Sequence, residues 1–127
     1  MRIEINAESP EPVYGQIVRQ IQEAVTSGAL AVGTPLPPVR QLANDLRLNR
    51  NTVARAYKML EDGGVIRTAG RKGTFVSPGA ADEVVRIKAG QAERTVRRMV
   101  ENLVLEGLST EQISALFQSA LAVAAKG

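Results

Sequence analysis

The sequence contains no cysteine and no histidine. The first absence removes disulfides and thiolate metal sites. The second removes Ser–His–Asp chemistry, histidine-bound zinc and a histidine pH switch. Tryptophan is also missing, and two Phe and two Tyr make up the aromatic content. With 44% hydrophobic residues, the core must therefore be mostly aliphatic. No apolar run reaches the roughly 18 residues that a membrane span needs. The opening "MRIEINAESPEPVY" has no apolar signal core either. The expectation is a soluble, cytoplasmic protein that uses no cofactor or metal and no membrane.

What is present is positive charge, unevenly placed. The net charge of the 127 residues is +3. Residues 1–37 carry −2, residues 38–76 carry +5, and the remainder is balanced. The stretch "RLNRNTVARAYKML", residues 47–60, holds four basic side chains and no acid. A focused basic patch suggests a polyanion partner, although a solvated face would give the same count.

Periodicity places the elements. Val13, Ile17, Ile21 and Val25 step by four, with Tyr14, Val18 and Ala24 beside them, so "PVYGQIVRQIQEAVTSG" is an amphipathic helix. Pro12 suits its first turn and Gly28 its end. The connector "ALAVGTPLPP" has room for one short strand near Leu36. A second helix runs from Val39 to Leu46. A third runs over about 50–62, capped by Asn49 and stopped by Gly63–Gly64. Then Val65–Thr68 and Thr74–Val76 are strand-like, joined by the glycine-flanked turn "AGRKG", a wing at 69–73 with Arg71 and Lys72 at its tip.

Ser77–Pro78–Gly79 breaks the pattern and divides the chain into 1–77 and 78–127. Beyond it, Val85, Ala89, Ala92, Val96, Met99 and Leu103 alternate in steps of four and three, a heptad seam. Gly107 ends this helix, and "STEQ" reads as a capping box for a last one. The apolar face of that last helix includes Ile113, Leu116, Phe117 and Leu121. A single two-helix hairpin cannot bury both apolar surfaces. They are therefore dimerisation residues by expectation, and the protein a homodimer.

Helix, helix, turn, helix, basic hairpin is the order of a winged helix-turn-helix. Leu42 and Ala43 supply the close approach, Leu46 and Leu48 flank the turn, and Val53, Ala56 and Leu60 face inward. Arg47 occupies a turn position that prefers glycine because φ is positive there. With that inward set, Asn51, Ala54, Arg55 and Lys58 fall on the opposite face. Arg50 and Thr52 flank the first turn, and Tyr57 reads as packing. Arg pairs bidentately with guanine and Asn with adenine, so this face suits a major groove. Arg40 lies on the same side. The fold class expected is mostly α with a small β-hairpin, an N-terminal winged helix-turn-helix followed by a two-helix dimerisation segment.

The sequence resembles the GntR family of bacterial transcription regulators. The matching runs are "PVYGQIVRQIQEAVTSGAL", "GTPLPPVRQLANDL", "NRNTVARAYKMLEDGGVI" and "GRKGTFV", over about residues 10–76. The resemblance implies DNA contacts by Arg40, Arg50, Asn51, Thr52 and Arg55, and a wing formed by Gly70 to Gly73. Asn49 and Lys58 join these as expected DNA-binding residues. The short helical tail is similar to the YtrA subfamily, whose tail serves dimerisation. The expected function is a homodimeric, repressor-like regulator on a double-stranded operator with inverted repeats. An architectural or replication-type winged-helix protein is the alternative. An enzyme is not expected, since "AGRKGT" lacks the spacing of a phosphate-binding loop. A small-molecule effector, if there is one, would sit between tail and DNA-binding domain or at the dimer interface.

Overall fold

The computed structural model describes residues 1–126. The elements are α1 (Val13–Thr26), β1 (Pro35–Leu36), α2 (Val39–Leu46), α3 (Arg50–Asp62), β2 (Ile66–Thr68), a 3-10 turn (Gly70–Lys72), β3 (Thr74–Val76), α4 (Ala80–Leu105) and α5 (Thr110–Lys126). They fall into two compact units, Met1–Ile87 and a second that begins at Lys88. The first is a winged helix-turn-helix. The second consists of the later part of α4 and α5.

In the first unit an aliphatic core fills the space between helices and sheet. Ile17 and Ile21 from α1, Val53, Ala56 and Leu60 from α3, and Val65, Ile66 and Val76 around the sheet are all essentially solvent-free. Leu42 and Ala43 of α2 are buried beside them, and Leu46 and Leu48 pack against the edge of this core. Burying each Val or Leu side chain contributes about 1.5–3 kcal/mol, so the inward faces are strongly determined.

The short strand at Leu36 does not stand alone. β1 pairs antiparallel with β3, and β3 with β2, in the order β1–β3–β2. The registers are Leu36 opposite Thr74, and Ile66 opposite Val76. The wing is therefore the outer hairpin of a three-stranded sheet rather than a free ribbon.

Three helix ends close as their sequences require. Asn49 Oδ1 accepts from the Asn51 amide at 2.7 Å. After α3, Gly64 has φ 78°, and the Val65 amide returns to the Leu60 carbonyl at 2.9 Å. After α2 the same left-handed closure falls on Arg47, with φ 56° and ψ 46°. The Leu48 amide reaches the Ala43 carbonyl at 2.8 Å, which holds that conformation in place.

The core continues past Ser77–Pro78–Gly79. Ala80 and Val84, in the first turns of α4, are buried in it, and Ile87 packs against it. These three lie on a different face of α4 from Val85 and the heptad seam. The expected division after residue 77 and the unit limit at Ile87 differ because a helix start is visible locally and a core contact is not.

The N-terminal residues hold a further feature. Ile3 is buried in the core and Ile5 packs beside it. Two glutamines of α1 bind the backbone of this segment. Gln20 exchanges two hydrogen bonds with Glu4, at 2.9 and 2.7 Å, through the Glu4 amide and carbonyl. Gln16 does the same with Asn6, at 2.8 and 2.9 Å, and also donates to the Glu11 carbonyl at 3.0 Å. Each carboxamide thus takes the place of a neighbouring strand's peptide group. Gln16 is 2% exposed, and these bonds satisfy it.

In the second unit, Gly107 has φ 95° and the Leu108 amide returns to the Leu103 carbonyl at 3.2 Å. The capping box then closes in both directions: Ser109 donates its amide to Gln112 Oε1 at 2.8 Å, and Gln112 donates its amide to Ser109 Oγ at 3.2 Å.

Two substitutions test this account. A β-carbon in the left-handed region costs roughly 1–2 kcal/mol. Arg47→Gly should therefore be more stable than Arg47→Ala by about 1 kcal/mol, less the extra unfolded-state freedom of glycine. Urea unfolding of the pair reads this, and equal midpoints would show an unstrained turn. Tyr57 donates its hydroxyl to the Pro37 carbonyl at 2.6 Å, and burial pushes its pKa from 10.0 up to about 12. The unfolded chain loses this proton first, so stability is intact below pH 10 and declines as pH rises towards 12. Tyr57→Phe should lower stability at neutral pH by about 1 kcal/mol yet flatten that alkaline decline. A decline as steep as in the unsubstituted protein would assign it to other groups.

Candidate nucleic-acid interface

α3 shows two chemically distinct faces. Val53, Ala56, Tyr57 and Leu60 are buried. Arg50, Asn51, Ala54, Arg55 and Lys58 are exposed, and Thr52 is half-buried. The small Ala54 stands between the basic groups, where a helix must approach a groove floor. The acids of α3, Glu61 and Asp62, sit in its last turn, away from the N-terminal half.

The expected groups are held in different ways. Arg40 and Arg50 meet at one cleft of about 710 Å³, lined also by Pro38, Gln41, Asn44 and Leu48. Arg50 comes from the first turn of α3 and Arg40 from the first turn of α2, so the helix-turn-helix crossing brings them together. Gln41 and Asn44 add amide donors and acceptors to this cleft. They were not singled out in the sequence, although they follow Arg40 at one and four residues.

Arg55 stands over the ring of Tyr14, with its Cζ 3.9 Å from the ring centroid. Lys58 pairs with Asp62 at 3.2 Å, and both side chains are largely exposed. Such a surface pair is worth about 0–1 kcal/mol and exchanges readily for a phosphate. Asn49 is both exposed and engaged as the cap. The amides of Asn51, Thr52 and Val53 already have partners. The helix end therefore offers an anion fewer free donors than an uncapped one would.

Arg71 and Lys72 lie exposed on the 3-10 turn of the wing. Gly70, at φ 56°, and Gly73, at φ 106° and ψ −159°, bracket it; the latter conformation is essentially reserved for glycine. The base of the wing is tied to α3, since Thr68 donates its hydroxyl to Glu61 Oε2 at 2.8 Å. Arg67 of β2 is a further exposed basic group beside the wing.

A helix-turn-helix core, an exposed basic N-terminal half on its third helix and a basic wing define a winged helix-turn-helix DNA-binding protein. The chain belongs to the family described as bacterial regulatory proteins, gntR family, whose model matches residues 13–76. It is similar to the HTH-type transcriptional repressor YtrA of Bacillus subtilis (strain 168), 33% identical over 111 residues that cover 87% of this chain and 85% of that protein. Among solved structures it resembles a transcriptional antiterminator from Listeria monocytogenes EGD-e, with a TM-score of 0.69, 32% identity, and 94% and 90% of the two chains covered. It also resembles YtrA from Sulfolobus acidocaldarius, a GntR-family transcription factor, with a TM-score of 0.58, 35% identity, and 72% and 97% covered. The function is thus sequence-specific DNA binding in transcription regulation, not enzymatic catalysis, and the purely architectural alternative is not favoured. Among the described residues, no helix is long and apolar enough to cross a membrane.

Arg50 is the group placed to test base reading. Losing a bidentate Arg–guanine pair costs about 1–3 kcal/mol per half-site. Arg50→Ala should weaken binding to a selected operator by that amount, or by roughly 2–6 kcal/mol if two half-sites add. Affinity for a scrambled duplex should fall only slightly, as the other basic groups still meet phosphates. Gel-shift titration on both duplexes decides it. An equal loss on the two would make Arg50 a phosphate contact.

Proposed function

We propose that the protein is a cytoplasmic homodimeric repressor that binds an inverted-repeat operator through residues 1–77 and dimerises through residues 78–127. The α3 helix lies in the major groove, where Arg50, Asn51, Thr52 and Arg55 approach base edges and Arg40, Asn49 and Lys58 support them. The wing, Gly70 to Gly73 with Arg71 and Lys72, follows the adjacent backbone or minor groove. Its similarity to the YtrA repressor supports the repressor role.

The observation that carries the dimer is the apolar surface left open on α4 and α5. Val96 and Met99 are 47% and 50% exposed, and Leu116 and Leu121 are 50% and 70% exposed. Val85 is exposed on the same seam of α4. Ala89, Ala92, Val96 and Val100 line a shallow, mostly apolar groove of about 710 Å³. Its rim carries Glu101 and the pair of Glu93 with Arg97 at 2.8 Å. An apolar seam with charged flanks at heptad spacing is what a second helix of the same kind covers. Ile113, expected on the dimer face, is already buried within the chain, where the return from α4 into α5 covers it. A two-fold partner would cover the half-buried Leu103 and Phe117 and their exposed neighbours in the same way. We assign the groove to this contact rather than to an effector.

Met99→Glu places a charge in the seam and should convert the dimer to monomer while residues 10–76 stay folded. Sedimentation velocity with circular dichroism reads both, and an unchanged dimer would move the interface elsewhere. Selection from random duplexes should return inverted repeats whose half-site centres are about one helical turn, or a multiple of it, apart. Recovery of isolated half-sites would overturn the dimeric reading.

A further inference from the structure

We propose that Tyr14 is a positioning residue for DNA recognition, its ring seating the Arg55 guanidinium so that the N–H donors face the nucleic acid. The inference rests on the assignment of α3 as the recognition helix.

Arg55 has one partner in the first unit, and it is an aromatic face. The Cζ–centroid distance of 3.9 Å is a direct cation–π contact. The two residues lie 41 positions apart in sequence, Tyr14 in the first turn of α1 and Arg55 in the second turn of α3. Tyr14 is half-buried and packs against the core, so it is a fixed surface. Arg55 is exposed, and no ion pair or hydrogen bond engages its side chain among the described residues.

The acids near Tyr14 are otherwise engaged. Glu11, three residues before it, pairs with Arg19 at 3.1 Å, and Arg19 also meets Glu23 at 3.4 Å. Lys58, one turn after Arg55, is by contrast bound to Asp62. Of these basic groups, Arg55 alone is held by a partner that leaves its hydrogen-bond donors free.

That difference has a chemical meaning. A guanidinium carries its five N–H donors in the plane, and a ring beneath it occupies the face and none of the donors. A carboxylate in that position would consume two donors and cancel the charge that attracts DNA. A stack also removes part of the rotamer freedom that a long side chain otherwise loses on binding. Tyr14 thus orders Arg55 before DNA arrives and leaves it free for a phosphate or a guanine edge.

The test uses the full chain and two probes, a duplex selected by the unsubstituted protein and a scrambled duplex of equal length. Tyr14→Leu should weaken selected-duplex binding about two- to fivefold per bound subunit, the size of an exposed cation–π contact. In an Arg55→Ala background the same substitution should change binding by less than about twofold, since the coupled partner is gone. Tyr14→Phe keeps the ring and should bind like the unsubstituted protein. In the free protein, NMR should show Arg55 Cδ protons shifted upfield by the ring in the unsubstituted and Phe forms, and unshifted in the Leu form. Equal losses in both backgrounds would overturn the proposal, as would Phe behaving like Leu, which would make the hydroxyl the contact. An absent ring-current shift would overturn it too. If the unsubstituted protein selects no duplex, the recognition reading fails first and this assignment with it. If it does select one and Tyr14→Leu binds equally well, this assignment alone falls.

Discussion

Burial of Val53, Ala56 and Leu60 fixes the rotation of α3 about its own axis, and most of the interface follows from that. Val53 and Leu60 together contribute roughly 3–6 kcal/mol of apolar burial, and rolling the helix would surrender it. Rotation in either direction would also drive Arg55 or Lys58 into an aliphatic interior with no partner for the charge. The face that displays Asn51, Ala54, Arg55 and Lys58 is therefore determined by residues that touch no nucleic acid. α1 and the sheet act as a mould whose output appears on the opposite side of the helix.

The turn between α2 and α3 applies the same logic to the backbone. Arg47 adopts a left-handed conformation in which a β-carbon is strained, because Leu48 must turn back to the Ala43 carbonyl. The strain persists since Leu46 and Leu48 on either side pack against the core. A glycine would relax it but would bring no side chain. Arginine instead adds an exposed cation in the turn, one residue before Leu48, which lines the cleft that Arg40 and Arg50 share. Local strain and local charge are thus combined at one position.

What could be read from the sequence is what depends on neighbours in the chain. The bounds of α2 and α3, the Asn49 cap, the Gly107 closure and the Ser109–Gln112 box are interactions across at most five residues, and each leaves a residue-type signature. The inward set of α3 was legible for the same reason, through helical spacing. Contacts between distant segments left no such mark. The Ile3–Ile5 alternation, in a segment that forms no strand, gave no sign of its partner, and nothing in the residue type or spacing of Gln16 marked it as a clamp on a distant backbone. β1 was anticipated, but its pairing with β3 was not, since two residues carry no register information. The stack of Tyr14 and Arg55 spans two helices and appears only once those helices pack. The basic groups were recognisable as a set. Which is ion-paired, which lies in a cleft and which rests on a ring is a property of the fold.

The glutamine clamp on the N-terminal segment recognises peptide groups, not side chains. Gln16 and Gln20 engage the amide and carbonyl of Asn6 and Glu4, whose own side chains are exposed. The side chain at position 4 is consequently little constrained by the clamp, because any residue with an amide hydrogen offers the same two handles, whereas Asn6 also accepts from the Glu8 amide through its Oδ1 at 3.0 Å. Proline is the exception, for it alone lacks that hydrogen. The segment is therefore a strap held at two levels, by apolar side chains at Ile3 and Ile5 that the core requires and by the peptide groups of Glu4 and Asn6, whose side chains the clamp does not read.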